Sequence, residues 1–198
     1  MPNPTPDPSG PGPWIETSAA PTPPLRKRLP FGLGYQSAAK LEVGLSRRFD
    51  DVSATVGMHP HDAKDVGESE LRELRQLAAQ PKVVAVGETG LDYYYNHSPR
   101  DVQRRVFTQF IHMARDTGLP LVVHERDAAQ EAVELLRIEG GDKLLGVIHC
   151  FTGDYDAARA YLDFGFYLSF TGNITFKNAE PLRDVVRRVP LERMLIET

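Results

Sequence analysis

The chain has 198 residues, 41% hydrophobic and 25% charged, with 27 acidic against 23 basic side chains for a net charge of −4. That length holds one sizeable core rather than two, and the mix is that of a soluble globular domain. Mild acidity argues against broad electrostatic adhesion to nucleic acid or anionic membrane, but not against a nuclease, because bound cations neutralise phosphate locally. The single cysteine, Cys150, excludes an internal disulfide and leans towards a cytoplasmic protein. No apolar run approaches the ~20 residues of a transmembrane helix and no signal-peptide core opens the chain, so no membrane partner is expected.

Residues 1–24 carry nine of the 16 prolines. Such a stretch cannot build a packed element, so residues 1–34 are expected to be disordered, polyproline-like or foreign to the single domain expected over residues 35–198. That domain opens with a helix over 36–49 that would bury Ala38, Leu41 and Leu45. A strand over 52–56 leads to Gly57 and the pair His59 and His61, followed by a helix over 67–79. Val83 to Val86 then read as a strand buried on both faces. Gly87 ends it and Glu88 follows, a position where a carboxylate is costly unless paired, hydrogen-bonded or bound to a metal. Ser98 is placed to cap a helix that begins at Pro99, buries Val106, Phe107, Phe110, Ile111 and Ala114, and stops at Gly118.

The cycle repeats. Leu121–Val123 is a strand ending in His124, with a helix over 127–139. Leu144–Ile148 ends in His149, with a helix over 155–164. Phe166–Phe170 runs into Thr171, with a helix over 180–189, and Met194–Ile196 begins one more strand. Alternation at this spacing implies right-handed βαβ units and a parallel sheet. Polar residues at successive strand ends favour an α/β fold of the (β/α)8 barrel type, with about six of the eight strands present.

Glu88, His124 and His149 fall at the carboxyl ends of three strands. Two imidazoles and a carboxylate form a common metal-ligand set with positions open for water and substrate, and a metal lowers the pKa of water towards neutrality. His59 and His61 flank a proline, so one ring is expected to line the pocket rather than join the other on one ion. His112 is expected to face solvent, His97 to lie in a loop, and Cys150 to be a small buried hydrophobe. Arg126 suits either a bidentate contact to phosphate or a surface ion pair.

The stretches VGMHPHDA, VVAVGETGLDYYY, SPRDVQRRVF, LPLVVHERDA, GVIHCFTG, GFYLSFTGNITFK and PLERMLIET together resemble the TatD family of metal-dependent deoxyribonucleases. The resemblance covers about residues 35–198. It implies an amidohydrolase-type barrel with two divalent ions (Mg²⁺, Mn²⁺ or Zn²⁺) at its carboxyl-terminal mouth, and hydrolysis of DNA phosphodiesters, with RNA as an alternative substrate. By position, Glu88 would be the catalytic carboxylate bridging the metals and His124 and His149 ligands of the second. His59, Asp92 and Arg126 would line the pocket or support those ligands. The family's first strand carries a His-x-His pair and its last a ligand Asp; here no histidine precedes His59 and the sequence ends at Thr198. One metal at most is therefore expected on this chain. The resemblance leaves open a nuclease, a non-catalytic scaffold, and a hydrolase of small amides or esters; it names no protein partner.

Overall fold

The computed structural model describes residues 35–197, with side chains from Ala39 onward; the expectation for residues 1–34 lies outside them. Helix α1 (Tyr35–Arg48) leads into strand β1 (Ala54–Val56), a 3-10 turn over Pro60–Asp65 and α2 (Glu68–Ala78). Then follow β2 (Val83–Asp92), α3 (Arg100–Thr117), β3 (Leu121–Arg126), α4 (Ala129–Glu139) and β4 (Gly146–His149). The described chain closes with α5 (Tyr155–Asp163), β5 (Tyr167–Phe170), α6 (Glu180–Arg188) and β6 (Met194–Ile196). All six strands are parallel and lie in chain order in one sheet. The fold is an α/β barrel of which the described residues build six strands.

Burial along β3 shows how the sheet divides its two faces. Leu121, Val123 and Glu125 are buried, whereas Val122, His124 and Arg126 are half-buried. The first set lies under the helices, and the second faces the inside of the barrel. Helix α3 supplies the largest covering face: Phe107, Phe110, Ile111, Met113 and Ala114 are all fully buried. Because side chains alternate along a strand, packing α3 and its neighbours on one face aims the histidines of β3 and β4 at the other.

Four sequence expectations change. Strand β2 continues past Val86 to Asp92, so Glu88 lies inside a ten-residue strand rather than beyond a short one. The stretch Gly87–Asp92 has two glycines and three polar residues, a poor strand by propensity. Pairing of Thr89–Asp92 with Val123–Arg126 overrides that preference. The register shifts between Val86 and Thr89, which places Glu88 in an irregular step of the ladder. Helix α3 is capped by Pro99 rather than Ser98. Ser98 Oγ instead accepts from the Lys64 N–H at 3.0 Å and donates to the His61 carbonyl at 2.7 Å, tying two loops together. Helix α1 buries Ala39, Val43 and Ser46 and leaves Leu41 41% exposed. Finally, His112 is half-buried, its Nε2 lying 2.6 Å from Glu139 Oε2 on α4. Gly118 ends α3 as expected, in the left-handed conformation (φ 70°). No helix among the described residues is long and apolar enough to cross a membrane.

Gly90 carries the tightest requirement in β2. Its φ is 143°, and a Cβ there would lie 2.0 Å from the His124 carbonyl oxygen. Gly90→Ala is expected to destabilise the fold by about 1–3 kcal/mol, the usual magnitude for a residue forced into a sparse backbone region. Urea unfolding checks this, and a midpoint equal to that of the unsubstituted protein would refute it.

Candidate metal centre

The mouth of the sheet is built by three backbone devices. His124 and His149 are direct Cα partners across β3 and β4, which sets both rings at one height. His59 arrives from β1 past Gly57, where a Cβ would lie 2.4 Å from Gly87 Cα. This glycine-to-glycine crossing lets the end of β1 approach the irregular step that carries Glu88. The 3-10 turn then folds His61 back, its N–H donating to His59 Nδ1 at 3.2 Å.

The result is one carboxylate oxygen ringed by imidazoles. Glu88 Oε1 is 3.0 Å from His124 Nδ1, 3.7 Å from His59 Nε2 and 3.7 Å from His149 Nε2. Potential ligand atoms of His59, Glu88 and His124 all lie within 4.8 Å of one another. Proximity alone would thus pick His59 over His149 as the third ligand, but hydrogen bonding argues otherwise. His59 Nδ1 accepts the His61 N–H, so its neutral ring carries the proton on Nε2, towards the pocket. His124 Nε2 sits 3.0 Å from Asp92 Oδ2 and His149 Nδ1 sits 2.5 Å from Glu197 Oε2. When those nitrogens donate to their carboxylates, the opposite nitrogens turn lone pairs towards Glu88. Lone pairs on two imidazoles facing a carboxylate call for a cation, and carboxylates behind metal-binding histidines are the usual support. In that tautomeric state Glu88, His124 and His149 could hold a divalent metal, with His59 beside them as an N–H donor.

The profile of the TatD related DNase family matches residues 30–198 of this sequence. The chain belongs to the TatD family. It is 45% identical over 150 residues to the metal-dependent hydrolase YabD of Bacillus subtilis, an overlap of 76% of this chain and 59% of that protein. It is 37% identical over 156 residues to the 3'-5' ssDNA/RNA exonuclease TatD of Escherichia coli, covering 78% and 60% of the two chains. The crystal structure of YjjV, a TatD homolog from Escherichia coli, superposes with a TM-score of 0.76 at 27% identity, over 83% of this chain and 63% of that one. The chain thus spans under two thirds of the length of each of these TatD relatives.

The remaining residues singled out from the sequence fall around this centre in different ways. Asp92 is fully buried, and its Oδ2 also lies 2.9 Å from His61 Nε2. Arg126 lies over the rings of Tyr94 and Tyr95, at 4.0 and 4.9 Å from their centroids, instead of pairing with Asp127. Cys150 is half-buried at the mouth, its Sγ 3.5 Å from Thr171 Oγ1, so it is not a core hydrophobe. His97 lies in the loop after β2, its ring 4.6 Å from that of His61. Sequence reading missed Glu197, although it stands at the end of β6 as His149 does at the end of β4. Its Oε1 accepts the Cys150 N–H at 2.6 Å while Oε2 holds His149.

Charge follows this geometry. With no metal bound, Nδ1 of His124 can instead carry a proton and donate it to Glu88 at 3.0 Å. Burial would raise the Glu88 carboxyl, but that hydrogen bond and the charges of His149 and His59 prevail and hold it below the usual carboxylate range. Asp92 is likewise held down against burial, by the Tyr95 N–H and then by His61 and His124. Burial, with His124 next, lowers His59 to about 4. That ring is therefore neutral at neutral pH, as an Nε2–H donor requires. Burial would lower His149 too, yet the Glu197 hydrogen bond and the Glu88 and Glu197 charges raise it above its ordinary value.

Replacing Glu197 by Gln removes the carboxylate that favours the imidazolium. In metal-free Glu197→Gln the His149 titration should therefore move to lower pH. Proton NMR of the imidazole measures it, and an unmoved midpoint would show that Glu197 does not set the charge of that ring.

Proposed function

We propose that the protein is a metal-dependent phosphodiesterase acting on single-stranded nucleic acid, DNA first and RNA as the alternative. The carrying observation is the convergence of His124 Nδ1 and His149 Nε2 on one oxygen of Glu88, each ring backed by its own carboxylate. The Escherichia coli relative, a 3'-5' ssDNA/RNA exonuclease, supports the choice of substrate.

Glu88, His124 through Nδ1 and His149 through Nε2 would hold the ion. An imidazole-rich set favours Zn²⁺ or Mn²⁺ over Mg²⁺, which prefers oxygen donors. A divalent cation there supplies Lewis acidity for a phosphoryl oxygen and lowers the pKa of water towards neutrality. The protein's own residues do the rest. Glu88, ionised at neutral pH, accepts a proton from the attacking water at a carboxylate oxygen. Asp92 and Glu197 fix which nitrogen of His124 and His149 carries the hydrogen. His59 Nε2 lies 3.2 Å from His124 Nδ1; with that nitrogen on the ion, the His59 Nε2–H would be available to donate to a non-bridging phosphate oxygen. Arg126 adds positive charge at the rim, where the phosphodiester backbone would enter.

The test is cleavage of a labelled single-stranded oligonucleotide with and without added metal, beside calorimetric metal titration. The expected result is one metal ion per chain, cleavage that a chelator abolishes, and a fall of more than about 100-fold in Glu88→Gln, beyond the ~10–100-fold loss typical of an outer-shell partner. Metal-stimulated cleavage that survives Glu88→Gln, or none in the unsubstituted chain, would overturn the reading. Turnover of small esters or amides in its place would assign the centre to that chemistry instead.

A further inference from the structure

The run Tyr93-Tyr94-Tyr95 after β2 splits into two kinds of tyrosine. Tyr93 is half-buried: its hydroxyl meets the Glu131 carboxylate and the Arg100 guanidinium lies 4.3 Å over its ring. Packing accounts for that residue. Tyr94 and Tyr95 are 58% and 51% exposed, and core packing accounts for neither. Their rings meet edge to face at 4.8 Å, and Tyr95 stacks on His97 at 5.6 Å with an interplanar angle of 10°. Arg126 lies against both tyrosines. Together they form an exposed aromatic and cationic rim.

This rim is joined to the metal centre. The Tyr95 N–H donates to Asp92 Oδ1 at 2.8 Å, and Asp92 is the carboxylate behind His124. A chain of ring contacts also leads inward: Tyr95 to His61 at 5.4 Å, His61 to His59 at 4.3 Å, and His59 to His124 at 4.4 Å. A strand whose phosphate sits at Glu88 would therefore carry a neighbouring base past Tyr95 and Tyr94.

We infer that Tyr94, Tyr95 and His97, with Arg126, form a nucleobase-stacking platform that selects unpaired bases beside the reacting phosphate. This rests on the phosphodiesterase reading for what occupies the centre. Every base has a π-face, so stacking on tyrosine tolerates sequence. In a duplex those faces are covered by neighbouring bases, so the platform favours single strands. A guanidinium held over an aromatic ring still has N–H groups that can meet a phosphate. The rim thus offers adjacent contacts for base and backbone, which reconciles nucleic-acid binding with a net charge of −4.

The test uses the full chain and a phosphorothioate-linked single strand that resists cleavage, carrying either 2-aminopurine or an abasic site at one position near its end. Expected are quenched 2-aminopurine emission on binding and tighter binding of the base-bearing strand. The double variant Tyr94→Ala/Tyr95→Ala should lose the quench and bind that strand about 5- to 100-fold more weakly, the range for loss of a stacking ring. Tyr94→Phe/Tyr95→Phe should restore both. Equal binding of the two strands, or a quench that survives the alanine pair, overturns the platform. Cleavage of an unmodified oligonucleotide separates this inference from the function beneath it. Metal-dependent cutting without quenching removes the platform alone, whereas quenching without cutting removes the phosphodiesterase reading and leaves a nucleotide-binding rim.

Discussion

The centre depends on one electrostatic constraint: a half-buried carboxylate oxygen, Glu88 Oε1, set among nitrogens of His59, His124 and His149. Each ring can supply a lone pair or a proton at that point, and its far side decides which. Asp92 and Glu197 take the far hydrogens of His124 and His149, which makes their near sides donors of electron pairs. The His61 backbone N–H occupies the far side of His59, which makes its near side a donor of a proton. Three chemically identical side chains thus acquire two roles from their second hydrogen bond. Without a cation, the Glu88 charge is answered only by protons; with one, the same oxygen and the two lone pairs would serve as ligands.

Holding those rings in place falls to rigid elements rather than to flexible loops. His124 and His149 are locked by parallel register, and Glu88 by an irregular step within a long strand. His59 owes its position to a backbone crossing that only glycines permit. The fully buried face of α3 fixes β2 and β3 from behind, so the outer packing and the inner chemistry are two consequences of one side-chain alternation. The cost of the arrangement lies in β2, where glycines and polar residues stand inside a sheet and contribute little to its core.

That cost also explains what the sequence revealed and what it hid. Apolar runs and helix periodicity located the strands and helices, because burial under the helices dictates those residues locally. The true length of β2 was hidden, since Gly87–Asp92 reads as a turn until β3 is present to pair with it. Ser98 carried a helix-capping pattern but serves a long-range tie to His61 and Lys64, which no local pattern encodes. The polar residue closing each apolar run was sufficient to mark Glu88, His124 and His149 as a group, although β2 and β3 continue past the first two. The same signal stood at Glu197 and could have been used. The contact of Arg126 with Tyr94 and Tyr95 was out of reach, because it depends on how two loops from adjacent strands turn beyond the sheet.

The same division bears on how an acidic protein could engage a polyanion. Non-specific nucleic-acid binders spread basic residues over a surface and depend on counterion release along many phosphates. Here 27 acidic residues outnumber 23 basic ones, so a general field would repel rather than attract. On the proposed reading, attraction would be local, from a cation at Glu88 and the Arg126 guanidinium at the rim, with aromatic surface contributing what charge does not. Affinity built that way depends weakly on length of strand and strongly on the few nucleotides at the mouth. That suits a site which meets a strand at one point rather than one that wraps it.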